Sequence, residues 1–454
     1  MGTAKFKTPY IPHYFKDKAQ EFIGNRLGWF TAGVSSSIAW PQEDVLVVYD
    51  GTEFLLRGCA VGGKQEPPCI STPCPSDNFD DAFARILRFV SVLGWFKGGY
   101  VDVSGYTWST HPIRYGHLQN SFTTMTQGGP HCFDCTYMPI IEDDRVRKAL
   151  AFCREGRRLR YAHEAYSFLS FFKVLESQFK KKEAKDRVAW IERNLDKLDG
   201  HAAKRVAELR SQGVNVSKHL FDSGRCAVAH ASLDGDIVDP DIPADRRQIG
   251  ADLDIIEGLA NRYLAEEVCV PTEMTVYRTR DRLEPWYPLM DADGLVKLKA
   301  GEEITDAAEL GQLAGAKVTV RLWPREPDEN LKDMTIIPFE SGPSLVKFYA
   351  VNQRETILLT FGLDANETRM HALLDEGGIT EQTNELTEDE VATYTRYLHS
   401  VVGNAQVELL IDGVEPVRCE IIIPTNIFPR NPEEAVLESV EAFRHKRGHQ
   451  KSQA

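Results

Sequence analysis

A chain of 454 residues is too long for one ordinary hydrophobic core of roughly 100–200 residues, so two or three domains are expected. Hydrophobic residues at 42% and charged residues at 26% exclude a disordered, collagen-like or fibrous protein. The net charge of −14 argues against a nucleic-acid partner for the chain taken as a whole.

Met1 to Lys7 holds no apolar signal region, and Phe6 breaks the myristoylation pattern. The longest apolar stretch, Phe89 to Phe96, is far short of the roughly 18–20 residues that span a bilayer. A cytoplasmic protein without membrane contact is expected. Nine scattered cysteines fit reduced thiols rather than a disulfide framework.

Residues 1–142 read as an α+β domain. Val45 to Tyr49 and Phe54 to Leu56 flank an Asp50-Gly51 hairpin turn. Asp77 or Asn78 then caps a helix through Phe79, Phe83, Ile86, Phe89 and Val90, and a strand follows near Tyr100 to Val103. From 143 to 268 the pattern becomes nearly continuous helix. Tyr161, Ala165, Phe168, Phe172, Leu175 and Phe179 recur at steps of four and three, predicting one helix about five turns long that packs in a bundle. Val188 to Leu198, Ala203 to Leu209, Leu220 towards His230, and Ile249 to Leu264 supply the other helices.

Residues 270–454 return to mixed α+β character. Met274 to Tyr277, Leu295 to Leu298, Val318 to Leu322 and Thr356 to Thr360 are β-branched and read as strands. A hairpin joins Val407–Ile411 to Val417–Ile421 across Asp412-Gly413, Glu388–Val402 and Pro432–His445 read as helices, and Lys446 to Ala454 as a frayed end. The fold class is therefore α+β multidomain.

Charge is unevenly spread. Residues 145–225 hold 20 Lys/Arg against 10 Asp/Glu, whereas residues 226–454 hold 22 against 42. The basic island is densest at Arg154, Arg157, Arg158 and Arg160 and at Lys180, Lys181, Lys182 and Lys185. It is either an RNA-binding footprint or a set of solvated helix faces.

Within the helical region 143–268 Arg225 and His230 form an Arg-x4-His pair, flanked by Gly224 and by Ala227, Ala229 and Ala231, which allow close backbone approach. On an ideal α-helix five residues separate the two side chains by about 140°, so they converge only where the helix ends or two chains meet. Arg158/His163 and Arg444/His449 share the spacing without that context. A buried histidine satisfied by a neighbouring acid is the other account of His230. His131-Cys132-Phe133-Asp134-Cys135, with Cys69 and Cys74, offers either four zinc ligands or unpaired thiols. His111 to His117 is a loop that binds a phosphate or carboxylate, or an ordinary polar surface loop.

The run Tyr161 to Glu176, followed by Gly224 to Ala231 and Asp239-Pro240-Asp241, resembles the family of methylamine utilization protein MauJ. Its Arg-x4-His element on a helical bundle is also similar to the HEPN superfamily, commonly dimeric ribonucleases or their inactive relatives. The resemblance covers roughly residues 40–268 and leaves 270–454 unexplained. It implies a HEPN-like bundle, a homodimer and metal-independent RNA cleavage without a cofactor. His230 would take the proton of a ribose 2′-hydroxyl, Arg225 would stabilise charge on the phosphate, and Glu176 would orient the site. The alternative is a non-catalytic accessory protein of an amine-utilization operon, with a protein partner engaged through 270–454.

Overall fold

The computed structural model describes residues 6–24, 28–61, 64–75, 78–116, 133–229, 242–379, 386–423 and 428–453. Helices and strands mix in an α+β multidomain architecture, as the sequence pattern predicts. The described residues up to 278 form one compact unit, and those from 279 onward form another.

The first unit opens with strand β1 (His13–Phe15) and helix α1 (Lys16–Gly24). β2 (Trp29–Ser36), β3 (Val45–Tyr49) and β4 (Thr52–Arg57) follow, then the short β5 (Ala60–Val61) and β6 (Lys64–Gln65), and β7 (Cys69–Pro73). Asp50 and Gly51 both take positive φ, 49° and 69°, so β3 and β4 close with Tyr49 opposite Thr52 through a two-residue turn whose twist matches the strands. β8 (Val101–Ser109) completes a sheet of order β1-β3-β4-β7-β2-β8. Helix α2 (Phe79–Phe96) buries Ile86, Phe89, Val90 and Leu93 against it, with the Phe89 ring stacked on Phe54 at 4.3 Å.

Helices α3 (Asp144–Leu159), α4 (Glu164–Glu176), α5 (Ala184–Leu195) and α6 (Gly200–Ser211) come next. After α7 (Val216–His219) the chain widens into a π-helical segment, Leu220–Cys226, and tightens again in α8 (Ala227–Ala229). Helix α9 (Pro243–Arg262) runs into a second π segment, Tyr263–Glu267. One apolar cluster spans sheet and helices, from Phe30 and Phe89 through Leu150 and Phe168 to Leu253 and Leu259.

The expected five-turn helix is shorter. His163 caps α4, its Nδ1 accepting the Tyr166 amide, so Tyr161 lies outside the helix and is 93% exposed. Phe179 falls beyond the C-terminal end and packs its ring against Tyr263 instead.

Two expected strands are helices. Met274 to Tyr277 lies in α10 (Glu273–Thr279), where the Thr272 hydroxyl accepts the Thr275 amide. α10 itself straddles the boundary at 278. Leu295 to Leu298 lies in α11 (Ala292–Ala300), begun by the Asp291 carboxylate and ended by Gly301 at φ 82°. A side-chain cap at the start of α10 and caps at both ends of α11 outweigh the β-branched content of these runs.

Strands β9 (Lys317–Trp323), β10 (Met334–Gly342), β11 (Leu345–Val351), β12 (Ile357–Asp364), β13 (Arg369–Ile379), β14 (Gln406–Leu410) and β15 (Val417–Ile422) close into a barrel of order β10-β11-β12-β13-β15-β14-β9. The β13·β15 pair is parallel. Between them comes α12 (Glu388–Val402), opened by a reciprocal cap between Thr387 and Glu390. α13 (Pro432–Gln453) continues through the segment expected to fray. Among the described residues no helix is long and apolar enough to cross a membrane.

Candidate functional site

Two of the three expected catalytic residues meet. Glu176 is the last residue of α4, and its Oε1 accepts the Arg225 Nε–H at 3.2 Å from the first π segment. The same oxygen accepts a longer bond, 3.4 Å, from Arg187 of α5. Phe221 lies beside both guanidiniums, Arg187 at 5.8 Å and Arg225 at 5.9 Å from its centroid, and Arg187 also covers Phe172 at 5.4 Å. Burial, with Arg225 nearby, holds the Arg187 guanidinium below its usual pKa while Glu176 opposes that shift. His230 lies outside the described residues, as do Asp239, Pro240 and Asp241.

A local cap and a contact with another helix frame the π segment. Asn215 caps α7 by accepting the Lys218 amide at 2.9 Å. Gly224 then sits against the fully buried Phe168, where an added Cβ would fall 2.6 Å from Phe168 Cε1. Hydrogen bonds closing i→i+5 rings fit one more residue into each turn, so the angle of an ideal α-helix does not apply from Leu220 to Cys226. Gly224→Ala is therefore expected to cost about 1–3 kcal/mol by overpacking. The melting temperature should fall, and the added change Phe168→Leu should restore part of it; an unchanged melting curve for Gly224→Ala contradicts the packing account.

Beside this segment lies a cleft of about 230 Å³. His163, Glu164 and Tyr166 from the start of α4 line it with Val228 of α8 and Arg246 and Ile249 of α9. Val228 stands two residues before His230 in the chain. Sequence reasoning missed Arg187, and also Asp252, which holds the approach to the site. Asp252 is 1% exposed and accepts Arg205 Nε–H at 2.8 Å, with His219 Nε2 at 2.7 Å from its other oxygen.

The four arginines in the densest part of the basic island meet partners within their own unit. Arg154 donates to Leu87 O and Ser91 Oγ, both at 3.1 Å, and pairs with Asp102 at 3.4 Å. Arg157 donates to Gly94 O, Gly99 O and Asn261 Oδ1 and covers the Trp95 ring at 5.3 Å. Arg158 pairs with Asp102, and Arg160 with Asp254 and Glu257. Together they fasten α3 to α2, β8 and α9. Lys180, Lys182 and Lys185 are exposed.

The described cysteines of the possible zinc site do not converge. Cys69 and Cys74 are fully buried, and Cys74 Sγ donates to Pro75 O at 3.2 Å. Cys135 Sγ instead lies 3.3 Å from Nε2 of His13. The His13 Nδ1 contacts the Ile11 carbonyl at 2.8 Å, and a carbonyl only accepts, so Nδ1 donates and in the neutral ring Nε2 accepts from the Cys135 amide and thiol. Cys132, His131 and His117 lie outside the described residues. Arg114, in the polar loop, is held by Asp44 at 3.0 Å and by Gly58 O at 2.6 Å.

No curated protein and no solved structure matches the chain. The helices that bring Glu176 and Arg225 together lie within residues 149–265, which fit the family model described as methylamine utilization protein MauJ.

Proposed function

We propose that the protein is an accessory factor of amine utilization that acts by binding rather than by catalysis. The observation that carries this reading is the match of residues 149–265 to the MauJ family. The pairing of Arg154, Arg158 and Arg160 supports it, because guanidiniums bound to Asp102, Asp254 and Glu257 are poor electrostatic bait for phosphates. A homodimer through the helical segment and a protein partner for residues 270–454 complete the reading.

The test is growth of a host strain deleted for the gene on methylamine or on ammonium as sole nitrogen source. Loss of growth on methylamine alone, restored by the wild-type chain and by Arg225→Ala, is the expected result. Equal growth of the deletion strain on both sources overturns it.

A specific observation favours a second reading. Glu176 holds Arg225 by its Nε edge, as an acid that orients a phosphate-binding arginine would. Here a HEPN-like site cleaves RNA without metal, using Arg225 and His230. Purified protein incubated with total RNA in EDTA decides it. Cleavage lost in both Arg225→Ala and His230→Ala establishes the nuclease, and equal products from wild type and His230→Ala remove it.

A further inference from the structure

The hairpin between β12 and β13 gathers three potential metal ligands outside the MauJ-family segment. Asp364 ends β12, Glu367 stands in the turn, and His371 is the third residue of β13. Asp364 pairs with Arg369 and Gly362 with His371, so His371 lies two positions along from the partner of Asp364, and alternation puts both on one face. Gly362 contributes no side chain beside the imidazole.

The turn fixes the aspartate. Asp364 Oδ1 accepts the amides of Asn366 and Glu367, both at 2.9 Å, while Oδ2 faces the histidine. His371 Nε2 lies 3.9 Å from Asp364 Oδ2 and 3.5 Å from Glu367 Oε2, and the three ligand atoms are all within 4.8 Å of one another. These spacings are long for N–H···O bonds of about 2.7–3.2 Å. They approach the roughly 3.0–3.5 Å that separates two atoms bound to one ion at about 2.1 Å.

We infer that Asp364, Glu367 and His371 bind a divalent transition-metal cation. An imidazole with two carboxylates suits zinc, cobalt or manganese better than calcium or magnesium, which prefer all-oxygen shells. With three protein ligands at a surface turn, the remaining coordination positions belong to water. The buried Nδ1 of His371 has no hydrogen-bond partner, so the ring lacks the second contact that holds most metal-bound histidines. That lack weakens the site by about 10–100-fold relative to a supported one.

Cobalt(II) is the probe, because its visible absorption reports nitrogen and oxygen ligands while cysteine binding adds an intense thiolate charge-transfer band in the near ultraviolet. Titration of the full chain, with a phosphine reductant present, should saturate visible bands at one equivalent without the thiolate band. Zinc should displace the cobalt. His371→Ala should abolish the bands, and Glu367→Gln, at a side chain 60% exposed and remote from the core, should weaken binding about tenfold with circular dichroism unchanged. Thiolate bands alone, no visible bands at all, or bands of equal strength in both variants overturn the assignment.

Discussion

Asp252→Ala is expected to accelerate amide exchange throughout α6, α7 and α9 by about 100-fold, a loss near 3 kcal/mol. The carboxylate is buried and answers two cationic or proton-donating groups, Arg205 and His219, on two other helices. Its removal leaves both facing an empty acceptor position in a low-dielectric interior, and the side chains are too enclosed to turn to water, at 17% and 13% exposed. Arg205 keeps Glu208 at 2.8 Å, which places the loss at the low end of the range for a broken buried pair. Asp252→Asn, which retains one acceptor, should fall between the two. Because His219 immediately precedes the π segment, the alanine variant should also loosen Arg225 from Glu176. Exchange mass spectrometry reads both effects, and wild-type protection in α7 would show that packing alone holds this helix.

The sequence made some of this legible and hid the rest for identifiable reasons. Signals confined to a few residues are readable: the Asp50-Gly51 turn, the Asp412-Gly413 hairpin, and the helical run Glu388–Val402. Glu176 enters through the family resemblance and its place on the long apolar helix, although that helix is shorter than its stripe. The strand readings at Met274 and Leu295 failed where helix caps overrode β-branched content. Partners remote in the chain are invisible: Arg154, Arg158 and Arg160 read as free charge because Asp102, Asp254 and Glu257 lie roughly 50–100 residues away. The π segment was equally hidden, since it depends on Gly224 meeting Phe168 from another helix. Barrel closure needs the parallel β13·β15 pair across an intervening helix, which no local pattern encodes.

In the barrel, Glu408→Ala is expected to lower stability by about 3–5 kcal/mol, the largest effect of any single change considered. Glu408 is fully buried on the central strand β14 and stands in register with Arg321 of β9 on one side and Arg418 of β15 on the other. One oxygen accepts Arg418 Nε–H at 2.8 Å, and the other accepts from Arg321. Arg418 in turn covers Trp323 at 4.1 Å. Alanine would leave two adjacent guanidiniums, 14% and 9% exposed, with the central acceptor gone and like charges across the strands. Coulomb repulsion between them is little screened by salt because the row is buried, so added salt should restore almost none of the loss. The physical claim is that the cost comes from stranded charge rather than from lost volume. Replacing all three residues together, Arg321→Met, Glu408→Leu and Arg418→Met, should therefore recover most of what Glu408→Ala loses, since apolar groups of similar size need no partner. Calorimetry of the full chain compares the two: a triple variant as unstable as Glu408→Ala, or a single variant that melts like wild type, would show that this row of charges does not hold the barrel.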